Sequence, residues 1–201
     1  MSGGTKGVAE LKQLARWVKN LPTQVRKAAV SSVNTTVVQL RDEAETALLG
    51  KLNLPPAYIR GKLRAVRATQ GKPVGRVAIT RSAMPLGRFG ARQNTTPAKR
   101  AKGDRLRRIP AGHKQAGVSL QVGRGGSRKN LGGAFLVPLK NAGGMGVFLR
   151  SGPARKDIEH LYGPSPSQVF RIWRDDNRQR VGDVLEMNFD AALRRALKTD
   201  R

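Results

Sequence analysis

From residue 23 onward apolar side chains return every three or four positions. Val25, Ala29, Val33, Val37, Leu40, Ala44 and Leu48 predict one long helix from Thr23 to Leu49, with Gly50 as its stop. A shorter amphipathic helix is predicted from Lys6 to Lys19, with Leu11, Leu14, Ala15 and Val18 on one side and Pro22 as the break. The long helix's apolar face is small and β-branched, which suits close packing on a sheet or a second helix. After Pro55 and Pro56 the period changes. Leu63, Ala65 and Val66 stand among Arg64 and Arg67, a Gln70–Pro73 turn follows, and Val77 and Ile79 lie within Val74–Thr80, which together predict a β-hairpin with one basic face. A weaker strand is read at Leu86–Phe89, and Gly90–Gln115 holds too few apolar residues to fold alone, so it is expected to be a mobile loop.

Order is expected to return at Val118, Leu120 and Val122, to break at the loop Gly123–Gly133, and to resume in strands at Ala134–Leu139 and Met145–Leu149. Ser165, Pro166 and Gln168 have the spacing of an N-cap, a first helical residue and a capping-box partner. A helical stripe then runs through Val169, Phe170, Trp173, Val181, Val184, Leu185, Phe189, Ala192, Leu193, Ala196 and Leu197, with Gly182 as a kink or break. The pattern predicts an α+β fold: N-terminal helices, a small mostly antiparallel sheet carrying a long basic loop, and a C-terminal helix. One domain over 1–201 is expected, helical to residue 50, basic from 51 to 156 and helical again from 157. No repeat of solenoid length is visible.

Charge sharpens this picture in one region. Between Lys51 and Lys156 there are 24 Lys and Arg residues and a single acid, Asp104, which leaves only +3 of the total +26 for the two ends. Like-charge repulsion of that size raises the free energy of a compact state unless a polyanion neutralises it. Aromatics are 4% of the chain and are not interleaved with the cations, so base stacking has little to work with and contact with a phosphate backbone is the expected mode. An apolar content of 38% allows one modest core. With no cysteine, disulfides, thiolate zinc sites and cysteine nucleophiles are excluded, in keeping with a reducing cytoplasm. Met1–Val8 lacks a signal-peptide apolar core and no run is long enough for a membrane span, so neither secretion nor membrane insertion is expected.

Catalytic chemistry finds little purchase. His113 and His160 are the only histidines, and neither lies near paired carboxylates or a hydroxyl nucleophile in the sequence. Asp157, Glu159 and His160 suggest a metal set, but three alternating polar residues fit a solvated strand edge better. The glycine clusters Gly123–Gly126 and Gly143–Gly146 lack the spacing of a phosphate-binding loop and read as turns. No cofactor, metal or catalytic residue is expected. The strongest signal is the eight-to-one excess of cations over acids in Gly90–Gln115, beyond what solubility asks for. The residues expected to meet nucleic acid are Lys99, Arg100, Lys102, Arg105, Arg107, Arg108 and Lys114, together with Arg124, Arg128 and Lys129.

Several segments in order resemble the phage minor tail protein Z family, the lambda-type tail completion proteins. They are Ala28–Leu40, the run Leu63–Thr69, Gly133–Phe135, Met145–Arg150 and, most distinctively, Leu161, Tyr162, Gly163, Pro164 and Ser165 before the C-terminal helix. The resemblance implies a minor structural virion protein that completes the head-proximal end of a long tail and helps place the DNA end. It further implies other tail and head-tail connector proteins as partners, duplex DNA backbone as a contact, a ring of copies, and assembly in the host cytoplasm. No membrane partner and no catalytic residue are implied. A ribosome-associated or other RNA-binding protein is the alternative reading of the same charge. A nuclease would need an acidic metal cluster that the basic region lacks.

Overall fold

The computed structural model describes residues 22–140 and 143–198; the helix read at Lys6–Lys19 lies outside them. Thr23–Lys51 forms α1 and Pro56–Arg60 the short α2. Ten short strands follow: β1 (Leu63–Val66), β2 (Arg76–Ile79), β3 (Met84–Pro85), β4 (Arg92–Pro97), β5 (His113–Leu120), β6 (Lys129–Leu131), β7 (Phe135–Pro138), β8 (Met145–Arg150), β9 (Ile158–His160) and β10 (Tyr162–Gly163). Helices α3 (Pro166–Asp176) and α4 (Arg178–Lys198) close the chain. The α+β class holds, with the strands divided among four small antiparallel sheets, β1-β2, β10-β3, β4-β5-β6 and β7-β8-β9.

The described residues divide into two compact units, one of residues 22–46, 62–80 and 171–198 and the other of residues 47–61, 81–140 and 143–170. In the first unit, α1 buries Ala28, Ser32, Thr36, Leu40 and Ala44, a stripe with a residue every fourth position. Two members are polar, so the apolar pattern alone misses them: Ser32 turns its hydroxyl back onto the Ala29 carbonyl at 2.8 Å, and Thr36 accepts from the Asn188 amide at 3.0 Å. Arg180 pairs with Glu43 further along, so α4 runs antiparallel to α1. That guanidinium holds the Glu43 carboxyl below its ordinary pKa, against the opposing effect of burial. The helix interruption falls at Asn177, whose side-chain amide donates to the Trp173 carbonyl at 2.8 Å and competes with the backbone ladder. Gly182, read as the break, lies inside α4 and faces open space, where a glycine costs about 1 kcal/mol against alanine but stops nothing.

In the second unit, Val118, Leu120, Ala134, Leu136 and Val147 form a core that joins the two three-stranded sheets. Gln93 ties them together, donating to the Gly117 carbonyl at 2.7 Å and accepting from the Leu136 N–H at 2.9 Å. The β4–β5 register slips between Gln93 and Thr95, a bulge at which Gly117 takes φ +91 and lies so near β6 that a Cβ would stand 2.5 Å from the Leu131 carbonyl oxygen. Leu86–Arg88, read as a strand, is a 3-10 turn. The Leu161–Ser165 motif completes this unit: Leu161 N–H bonds the Val147 carbonyl at 2.9 Å, Tyr162 and Gly163 pair with β3, and Ser165 caps α3. The cap is the reciprocal box read from the sequence, with Ser165 N–H to Gln168 Oε1 at 3.0 Å and Gln168 N–H to Ser165 Oγ at 3.4 Å.

Candidate nucleic-acid interface

The basic stretch is not the mobile loop expected from its composition. Arg92–Pro97 and the start of β5 form a hairpin, and only residues 98–112 connect them, closed at the base by Ala98 N–H to the Gly112 carbonyl at 2.9 Å. The physical reason is a set of inward anchors. Asp104 is fully buried within the 3-10 turn Asp104–Arg107, where it accepts from Ala101 N–H at 3.1 Å and from the Arg107 guanidinium at 2.9 Å. Arg107 also donates to Gln115 at 2.6 Å and lies 4.8 Å over the Phe135 ring. Ile109 is buried behind them. The one acid of the basic region is therefore an internal strut and repels nothing outside.

With the acid hidden, the connection turns Lys99, Lys102, Arg105 and Arg108 outward, and none of these four side chains makes a hydrogen bond or ion pair with another described residue. Lys114 is likewise exposed, opposite Thr96 where β5 leaves the connection. Arg100 is exposed but gives one N–H to the Ile109 carbonyl at 3.3 Å. Arg108 holds φ +58, the one positive-φ residue other than glycine among those described. A left-handed residue with a Cβ is strained by about 1–2 kcal/mol, and glycine or asparagine would relieve it.

The remaining expected residues are elsewhere. Arg124, Arg128 and Lys129 lie toward the far end of β5, where Lys129 pairs with Leu120, about 20 Å along the strand from Lys114 at roughly 3.3 Å per residue. Arg128 is exposed but gives one guanidinium nitrogen to the Gly90 carbonyl at 2.7 Å and the Ser119 carbonyl at 2.9 Å, which ties the start of β4 to β5. Arg124 is fixed through its backbone, N–H to the Lys51 carbonyl at 3.2 Å and carbonyl to Gln121, with its side chain exposed. The ten residues thus resolve into a cluster at the β4–β5 connection, a second group at the opposite end, and two arginines, Arg107 and Arg128, that hold the fold.

His113 and His160 do not meet. His113 Nδ1 contacts the Ala111 carbonyl at 3.1 Å. His160, read as part of a solvated strand edge, stacks on Phe148 and packs at a tilt against Tyr162, both centroids at 4.5 Å, and burial lowers its pKa. Asp157 turns to the Ala154 N–H at 2.9 Å, and among the described residues no group of three or more His, Asp or Glu is placed to hold a metal. Gly123–Gly126 is a turn, and Leu139 N–H to the Gly144 carbonyl at 2.9 Å closes the β7–β8 hairpin.

A family model described as prophage minor tail protein Z (GPZ) matches residues 2–200. The chain belongs to that family. It is a phage minor tail protein, a structural component of the virion's tail that works among other tail proteins. No curated protein and no solved structure matches the chain. Among the described residues no helix is long and apolar enough to cross a membrane. In this minor tail protein Arg64, Arg67, Lys72 and Arg76, outside the expected set, are also exposed, on the β1–β2 hairpin. The signal for them was present in the sequence as arginines alternating with apolar residues on a predicted strand.

Proposed function

We propose that this minor tail protein completes the head-proximal end of the tail, supports the joining of tail to head, and positions DNA there by electrostatic contact with duplex backbone. It acts as a non-enzymatic ring of copies assembled in the host cytoplasm. The observation that carries the DNA contact is the β4–β5 connection, whose sole carboxylate is buried while Lys99, Lys102, Arg105 and Arg108 project without internal partners. Cations so presented read phosphates and not bases. The strained backbone of Arg108 supports the same reading, since a residue held in a costly conformation at a surface turn points to a role for its side chain.

The test replaces Lys102, Arg105 and Arg108 with glutamine and leaves Arg107 intact. Binding to a mixed-sequence DNA duplex, followed across salt, should lose roughly 0.9 of log–log slope per contact, nearly 3 in all, with thermal unfolding unchanged. An unchanged slope overturns the DNA contact. Particles assembled without the protein should be headless tails, or joined particles that fail to inject, and normal infectious virions overturn the joining role.

A further inference from the structure

We infer that the β1–β2 ribbon of the first unit is a second contact surface for the phosphate backbone of duplex DNA, separate from the β4–β5 connection. The inference rests on the DNA-contact reading above and extends it to residues on another unit. In the antiparallel register Arg64 faces Ala78 and Val66 faces Arg76, so these four share one side of the ribbon, and Leu63, Ala65, Val77 and Ile79 share the other. The second side is buried or half-buried, whereas Arg64, Val66 and Arg76 are exposed. Arg67 and Lys72 are exposed further along, toward the tight turn in which Thr69 and Lys72 exchange backbone hydrogen bonds at 2.9 and 3.0 Å.

The ribbon is fixed in place on α1. Asn34 accepts from the Ala68 N–H at 2.7 Å and donates to its carbonyl at 3.2 Å, so one side-chain amide satisfies both backbone groups of that residue. Gly75 packs so closely on α1 that a Cβ would stand 2.6 Å from Val37 and 2.8 Å from Val33. Immobilising the inner side pre-orders the outer one and spares entropy on binding.

The chemistry of the outer face selects the partner. No acid occurs between residues 62 and 81, and the three carboxylates of α1, on which the ribbon packs, Asp42, Glu43 and Glu45, are paired with Arg41 or Arg180. Arg64 and Arg76 are diagonal neighbours, about 7–8 Å apart by sheet geometry, and their long side chains reach separate phosphates. The ribbon carries no aromatic residue on which an unpaired base could stack, which disfavours single strands, while a two-stranded ribbon matches the width of a duplex major groove, about 12 Å.

The test substitutes Arg64→Gln, Arg67→Gln, Lys72→Gln and Arg76→Gln together in the full chain and titrates a mixed-sequence 30-base-pair duplex across salt by fluorescence anisotropy, about three helical turns. The log–log slope should shrink by roughly 3 to 4, sequence-independently, with unchanged thermal unfolding, and the matching arginine-to-lysine variant should restore it. A slope equal to wild type, with the β4–β5 variant still impaired, overturns the ribbon's role and leaves the first site standing. Wild-type protein that shows no salt-dependent duplex binding overturns both. Preference for single-stranded RNA over the duplex, lost in the ribbon variant, overturns the choice of partner.

Discussion

Asp104→Ala tests whether one buried carboxylate orders the whole basic connection. The substitution removes the acceptor for the Arg107 guanidinium at 2.9 Å and for the Ala101 N–H at 3.1 Å. Hydrogen bonds to a charged group contribute about 1.5–3 kcal/mol each, and orphaning one partner of a buried pair costs about 3–5 kcal/mol. Arg107 keeps 23% of its side chain exposed, and its contacts with Gln115 and Phe135 persist, so water and those neighbours recover part of the loss. The expected cost is about 2–3 kcal/mol, reduced to about 1 kcal/mol in Asp104→Asn, which keeps the shape and an acceptor for Ala101. Urea unfolding of the full chain measures the global term. Amide exchange at Asp104, Leu106, Arg108 and Ile109 measures the local one and should speed up even if the core outlasts the loss. A double-mutant cycle with Arg107→Ala should show coupling of about 1 kcal/mol or more. An Asp104→Ala protein within about 0.5 kcal/mol of wild type, with exchange in the connection unchanged, would refute the strut.

Ser165→Ala should cost about 0.5–1 kcal/mol in denaturant unfolding, at the low end for a cap because the Gln168 N–H bond is long, and no change would mean that α3 is held by its packing alone. His160 gives a pH signature: its Nε2 is buried without a hydrogen bond among the described residues, and burial lowers its pKa. Because the folded value lies below the unfolded one, the stability carried by the neutral ring is complete above about pH 6.5 and is lost as pH falls from there through the folded value. Melting temperatures at pH 7.5 and 5.5 should therefore drop further for wild type than for His160→Phe, and equal drops would remove histidine from the account.

Local rules made much of this chain legible. The capping box at Ser165 and Gln168 needs only three-residue spacing, and the β1–β2 hairpin only alternation around a turn. Features that depend on distant partners were not legible. Arg92–Pro97 has almost no apolar residue, yet it is a strand because β5 supplies its ladder and Gln93 bridges the Gly117 carbonyl to the Leu136 N–H. Thr36 looks like a surface residue until Asn188 arrives from α4. The helix break moved to Asn177 because a side-chain amide there finds the Trp173 carbonyl, whereas Gly182 meets only open space.

The amino-acid order by itself determined the helix at each end, the antiparallel character of the middle, the family and the location of the charge, because periodicity, capping and net charge are properties of neighbours along the chain. Tertiary structure alone decided which cations are available. Arg107 and Arg128 are as basic as Arg105 and Arg108 in the sequence, yet the first two spend their donors on Asp104, Gln115, Gly90 and Ser119, groups that folding brings within 3 Å. A guanidinium bonded to acceptors within the fold ties the framework together, and one with no such acceptor is left to the surface.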